Sequence, residues 1–179
     1  AGHEHDAAAW DGHLWLDPEN AITAAAAIAS TLATADPANA ATYTANAEAF
    51  AADTRAQEDR ISAALAPLRG KPFIVFHDAY QYFEHRFAFP AAGSIALQDG
   101  VPPSAARVAA IKARVRDQGI VCAFAEPEFE PKLIATVIEG TAARTGTLDG
   151  IGAALPPGPG LYPALLDGLA ISLAACLAQ

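Results

Sequence analysis

The chain has 179 residues, 53% of them hydrophobic and 17% charged, with a formal net charge of -9. That is enough apolar material for one well-packed domain, or for one lobe and part of another, and it excludes a disordered or fibrous chain. The acidic balance favours cations over a nucleic acid, which needs clustered Lys and Arg, and no unbroken apolar run is long enough to predict a transmembrane helix.

The sequence holds no methionine and opens on AGHEHDAAAWD, which reads as the end of a loop, so an N-terminal portion upstream is expected. His13-Leu14-Trp15-Leu16 then reads as a strand end. Asp17-Pro18-Glu19 reads as a helix start, with Asp as the cap and Pro in the first turn. The helix is predicted through Ala21, Ile22, Ala25, Ile28, Ala29 and Leu32, stopping before Asp36-Pro37. From Pro37 to about Leu68 no Gly interrupts a stretch rich in Ala, Glu, Gln and Arg, which predicts a second helix about 45 Å long if unbroken. Its apolar positions are too sparse for a coiled coil, so it reads as a strut between two lobes.

Beyond Gly70 strands alternate with helices. Strands are predicted at Phe73 to Phe76, in the apolar stretch through Ala96 and Leu97, at Ile120 to Ala125 and at Thr145 to Leu148. Helices are predicted at Ala79 to Phe87, from Pro102-Pro103-Ser104 to Gln118, at Pro131 to Glu139 and at Tyr162 to Leu177. Apolar runs without alternation argue for a mostly parallel sheet flanked by helices, an α/β fold. Cys122 and Cys176 belong to no metal-binding Cys cluster; they are either a disulfide of an exported protein or two buried thiols.

Ligands of such sheets bind beyond the carboxyl ends of the strands, so the polar residues that follow each strand are the candidates. His77 follows Phe73-Ile74-Val75-Phe76, Glu126 follows Val121 to Ala125, and Asp149 follows Thr147-Leu148. His13, in the earlier segment, is placed to face His77 across a cleft. Imidazoles with a carboxylate suit Zn²⁺, so His13, His77 and Asp149 form a zinc hypothesis. Glu126 reads either as a helix-entry carboxylate or as a general base beside a metal-bound water. His85 reads as solvated, His3 and His5 as part of a solvated tail, and Tyr80, Tyr82 and Phe83 as core and wall.

Four segments, taken together and in order, resemble the zinc-binding substrate-binding proteins of bacterial ABC importers, the ZnuA type of cluster A-I. They are Asp11-Gly12-His13-Leu14-Trp15-Leu16-Asp17-Pro18, Val75-Phe76-His77-Asp78-Ala79-Tyr80-Gln81-Tyr82-Phe83, Phe124-Ala125-Glu126-Pro127-Glu128-Phe129 and Gly146-Thr147-Leu148-Asp149. The resemblance implies two α/β lobes joined by a long helix with the metal between them. On that reading residues 1–35 end an N-terminal lobe, 36–69 form the connecting helix and 70–179 form the C-terminal lobe. His13 and His77 are then ligands, Asp149 occupies the carboxylate position after the last strand, and Cys122 and Cys176 fall on disulfide-linked positions. His3-Glu4-His5-Asp6 resembles the tail of a zinc-capturing loop.

The implied protein is a periplasmic monomer without enzymatic activity that hands Zn²⁺ to a membrane permease and has no nucleic-acid partner. His77 points to zinc rather than manganese, because manganese-preferring relatives resemble this chain but carry Glu there. The family's first histidine ligand lies upstream of this sequence, and Gly150 replaces the Pro that follows the carboxylate in similar proteins. A zinc hydrolase with Glu126 as base, and a manganese-binding or adhesin relative of the same fold, are the alternatives.

Overall fold

A computed structural model of the chain describes residues 11–96, 103–129 and 132–178. The expectations for His3, His5, Leu97, Pro102 and Pro131 lie outside the described residues.

Leu14–Leu16 form a 3-10 turn rather than the strand end expected from their composition. The Leu16 amide donates to the His13 carbonyl at 3.1 Å and the Asp17 amide to the Leu14 carbonyl at 3.3 Å. Only Leu16 is fully buried while Leu14 stays 47% exposed. Asp17 follows at once and caps helix α1 (Pro18–Ala35) by accepting the Glu19 amide at 2.9 Å, so the chain turns before a strand can form.

A short 3-10 turn at Pro37–Asn39 leads into α2 (Ala40–Leu65), and a second, Ala66–Leu68, ends it at Pro67. The predicted helix is thus a 26-residue α-helix with a tightened turn at each proline. Helices α1 and α2 form an antiparallel hairpin. Arg55 reaches back to Glu19 with a two-pronged ion pair, and the Tyr43 hydroxyl donates to Asp36 at the turn.

Four parallel strands follow, β1 (Phe73–His77), β2 (Gly93–Ala96), β3 (Cys122–Ala125) and β4 (Arg144–Thr147), in the order β2-β1-β3-β4. Helices α3 (Gln81–Phe87), α4 (Ala105–Asp117), α5 (Lys132–Ile138) and α6 (Leu161–Leu177) complete the chain. The sheet buries both faces, as its non-alternating apolar runs require. Phe73, Val75, Cys122 and Phe124 face a core built with Leu16, Ile61, Leu65, Phe83, Leu166 and Leu169. Ile74, Phe76 and Ala123 face a second core with Ile111, Val115, Ile134 and Val137.

Two features tie α6 to the sheet. Cys122 and Cys176 form a disulfide, which settles the open choice for these residues. Lys71 donates to the Leu177 carbonyl and Arg144 to the Cys176 carbonyl, placing two cations on the electronegative end of the helix.

Candidate metal centre

The register of the sheet builds half of the site. Val75 pairs with Phe124 and Ala125 with Thr147. Two residues beyond Val75 on β1 and Phe124 on β3, His77 and Glu126 fall side by side on one face. The His77 Nδ1 lies 2.7 and 2.9 Å from the two Glu126 carboxylate oxygens, and both residues are buried. An ionised carboxylate only accepts, so His77 donates from Nδ1 and turns Nε2 outward. The aromatic rings of Phe129 and Tyr80 flank it, with centroids 5.9 and 6.4 Å away.

The other half comes from the turn before α1. His13 Nδ1 lies 2.6 Å from Asp11 Oδ1, and the His13 amide donates to the same oxygen at 3.0 Å. Gln81, at the start of α3, donates its side-chain amide to the other Asp11 oxygen, and the Tyr82 hydroxyl donates to the Asp11 carbonyl. Burial works against ionisation of Asp11, but these hydrogen bonds from the His13 amide, Gln81 and the His13 ring outweigh it and hold its pKa below the ordinary value. Asp11 is therefore a carboxylate, and His13 too directs Nε2 away from its partner.

The two Nε2 atoms face each other at 3.4 Å, the His13 ring being the more open of the two, with its side chain 26% exposed. That separation is long for a hydrogen bond. Two zinc–imidazole bonds of about 2.05 Å meeting at a tetrahedral angle of about 109° span about 3.3 Å, so the pair is spaced to hold one such ion.

The segment bearing His13 is anchored on three sides. Asp17 takes a bidentate ion pair from Arg86 of α3 at 2.7 and 3.0 Å. The Trp15 indole donates to the Gly150 carbonyl at 2.9 Å, and the Tyr162 hydroxyl of α6 donates to the Trp15 carbonyl at 2.9 Å.

Of the three predicted ligands, the fold brings His13 and His77 together. Asp149 stands one residue beyond the row formed by His77, Glu126 and Leu148, and its carboxylate accepts the Ala153 and Ala154 amides at 2.9 and 3.3 Å. Among the described residues no three His, Cys, Asp or Glu side chains gather closely enough to hold a metal. Asp149 still bears on the site: burial foremost, then the charges of Glu126, Glu128 and Asp149, push the Tyr80 phenol well up and keep it protonated.

The Glu126 carboxylate is engaged by His77, a contact that neither sequence reading of it anticipated. The pairing of Glu126 with His77 and of Asp11 with His13 was not read from the sequence. The available signal was that His77 and Glu126 lie equally deep beyond their strands, which becomes decisive only once the register is known. His85 is exposed and Tyr80 and Phe83 are buried, as expected.

Fold and site define an α/β lobe that presents a pair of carboxylate-backed imidazoles beyond the carboxyl ends of a parallel sheet. Over residues 1–176 the chain matches the family described as zinc-uptake complex component A periplasmic. The chain belongs to that family. It is 51% identical over 170 residues to the high-affinity zinc uptake system protein ZnuA of Brucella suis biovar 1 (strain 1330), covering 95% of this chain and 51% of that protein. It is 46% identical over 168 residues to the protein of that name from Paracoccus denitrificans (strain Pd 1222), covering 93% and 52%. Among solved structures, a crystal structure of ZnuA matches with a TM-score of 0.82 at 26% identity, covering 97% of this chain and 64% of that one. A mutant of the laminin-binding adhesin Lmb from Streptococcus agalactiae matches with a TM-score of 0.82 at 26% identity, covering 97% and 67%. The chain thus spans about half the length of the curated relatives it matches. No helix among the described residues is long and apolar enough to cross a membrane.

Proposed function

We propose that the chain captures Zn²⁺ in the periplasm through His13, His77 and Asp149 and passes it to the membrane permease of an ABC importer. The observation that carries this reading is the pair of Nε2 atoms held 3.4 Å apart, each imidazole backed by a carboxylate. Imidazole nitrogen suits zinc better than manganese, which draws more oxygen ligands. Asp149 is the third ligand of this proposal; its carboxylate, which accepts the Ala153 and Ala154 amides, has lone pairs left for a metal and would have to shift toward the two imidazoles to join them.

No bond is made or broken in this role. A hydrolase would need a base near the metal, and Glu126 is committed to His77. The names of the Brucella and Paracoccus relatives support zinc as cargo and an uptake system as partner. The family description supports the periplasm. The net charge of -9 supports a cation and disfavours nucleic acid. The chain acts as a monomer.

We read residues 1–35 as the end of an N-terminal lobe, 36–69 as the connecting helix and 70–179 as the C-terminal lobe. Ile28 and Leu32 support this division: they lie one turn apart on α1 and remain 59% and 41% exposed, an apolar stripe suited to a covering lobe.

Calorimetric titration of Zn²⁺ and Mn²⁺ into chelator-stripped protein tests the proposal, using this chain and a form extended to the length of its relatives. Zinc binding at least tenfold tighter than manganese, abolished by His77→Ala, is expected. Absence of a His77-dependent site in both forms overturns it.

A further inference from the structure

The two imidazoles are backed in the same way but anchored differently. His77 ends β1 and Glu126 directly follows the adjacent strand β3, so their contact is fixed by the β1–β3 register. His13 and Asp11 belong to a turn outside the sheet. Asp11 holds His13 with one oxygen while Gln81 of α3 holds the other, and the Tyr82 hydroxyl fixes the Asp11 carbonyl. The two Nε2 atoms face each other at 3.4 Å, and an imidazole with no fixed partner at Nδ1 could move its proton between the ring nitrogens or rotate its ring. The carboxylates remove that freedom for both rings.

Resting on the zinc reading above, we propose that Asp11 and Glu126 are positioning residues that hold both histidines in the Nδ1–H tautomer with Nε2 bare for the metal. The Gln81 amide makes the His13 half depend on how its turn is seated against α3. His77 is the preset ligand; His13 is the conditional one. Loosening the turn from α3 frees Asp11, then His13, and leaves the His77–Glu126 pair intact. Release of the ion therefore begins at His13. Partners of this kind, which orient metal-binding histidines, typically change affinity by roughly 10–100-fold when removed.

Imidazole ¹⁵N resonances of the chelator-stripped chain read the tautomers without any metal, and zinc titration of the same samples reads the affinity. In the unsubstituted chain both rings should show a protonated Nδ1 and a bare Nε2. Glu126→Ala should shift only His77 toward the other tautomer and Asp11→Ala only His13, each weakening zinc by roughly 10–100-fold. In each variant the undisturbed histidine reports that the fold is intact. Glu126→Gln, which keeps an acceptor oxygen, should restore most of the His77 tautomer. Gln81→Ala should speed zinc dissociation and broaden the His13 signals while leaving His77 unchanged. If the chain binds zinc but the alanine variants keep both tautomers and the original affinity, the positioning roles are wrong. If Gln81→Ala disturbs both rings equally, the asymmetry is wrong. If neither the unsubstituted chain nor its extended form takes zinc at a His77-dependent site, the zinc reading itself falls and this inference with it.

Discussion

At the scale of single residues, the chemistry depends on hydrogen bonds that convert ordinary side chains into directed ones. Asp11 illustrates the energetics. Burial alone would raise its pKa, yet three donors together lower it, so its folded-state pKa lies below its unfolded value. A group shifted in this direction contributes stability that is fully present above the unfolded pKa and is lost as pH falls through the folded one. The contribution should therefore be constant from pH 7 to about 5 and decline progressively as pH falls below roughly 4. Thermal unfolding of the original chain and of Asp11→Asn across pH 3 to 7 checks this: the two should differ in Tm at neutral pH and converge in acid. A difference that persists unchanged at pH 3 would show that the Asp11 charge does not stabilise the turn. Zinc affinity should also fall as pH is lowered, since protons compete for the imidazole nitrogens.

At the scale of elements, the parallel sheet does most of the placing. Its register sets His77 beside Glu126, and the tight fit between strands keeps it from slipping. Gly146 of β4 shows how little room there is. A Cβ added there would approach the Phe124 ring to 2.4 Å, and Phe124 is fully buried in the core beneath the site. Gly146→Ala should therefore cost about 1–3 kcal/mol through overpacking. Chemical denaturation should show a lowered midpoint with an unchanged slope. A neutral result would mean that the Phe124 ring moves aside freely. The turn before α1 lies outside the sheet and owes its position to Arg86, Tyr162 and Gly150, residues of three other segments.

At the scale of the whole molecule, the Cys122–Cys176 disulfide joins the inner strand β3 to the last helix across 54 residues of chain. Closing a loop of that length restricts the unfolded state by roughly 4 kcal/mol in the chain-entropy account. Replacing both cysteines by alanine should lower unfolding stability by as much as that amount, read from denaturant titration beside the oxidised chain. A loss well under 1 kcal/mol would place the stabilisation in the α6 packing and in the cations at its C-terminal end instead. His77 and Glu126 lie on the same face of β1 and β3 as the disulfide, so a weakened α6 should also loosen the Tyr162 anchor of the His13 turn.

Much of this protein was legible in its sequence because local signals agreed with the final fold. The cap at Asp17, the prolines bounding the long helix and the apolar runs of the four strands gave an α/β architecture with correct element order. They also gave the strand ends where His77 and Asp149 fall, since each signal acts through neighbours a few residues away. The 3-10 turn at Leu14–Leu16 was misread because three apolar residues carry no period that separates a strand from a tight turn. What the tertiary structure alone decided was pairing. That His77 meets Glu126 follows from a register between strands about fifty residues apart, that Gln81 holds Asp11 follows from the docking of α3 on a distant turn, and that the two Nε2 atoms stand 3.4 Å apart follows from both. Sequence spacing fixes none of these, because such contacts depend on how separate elements pack in space rather than on how far apart they lie along the chain.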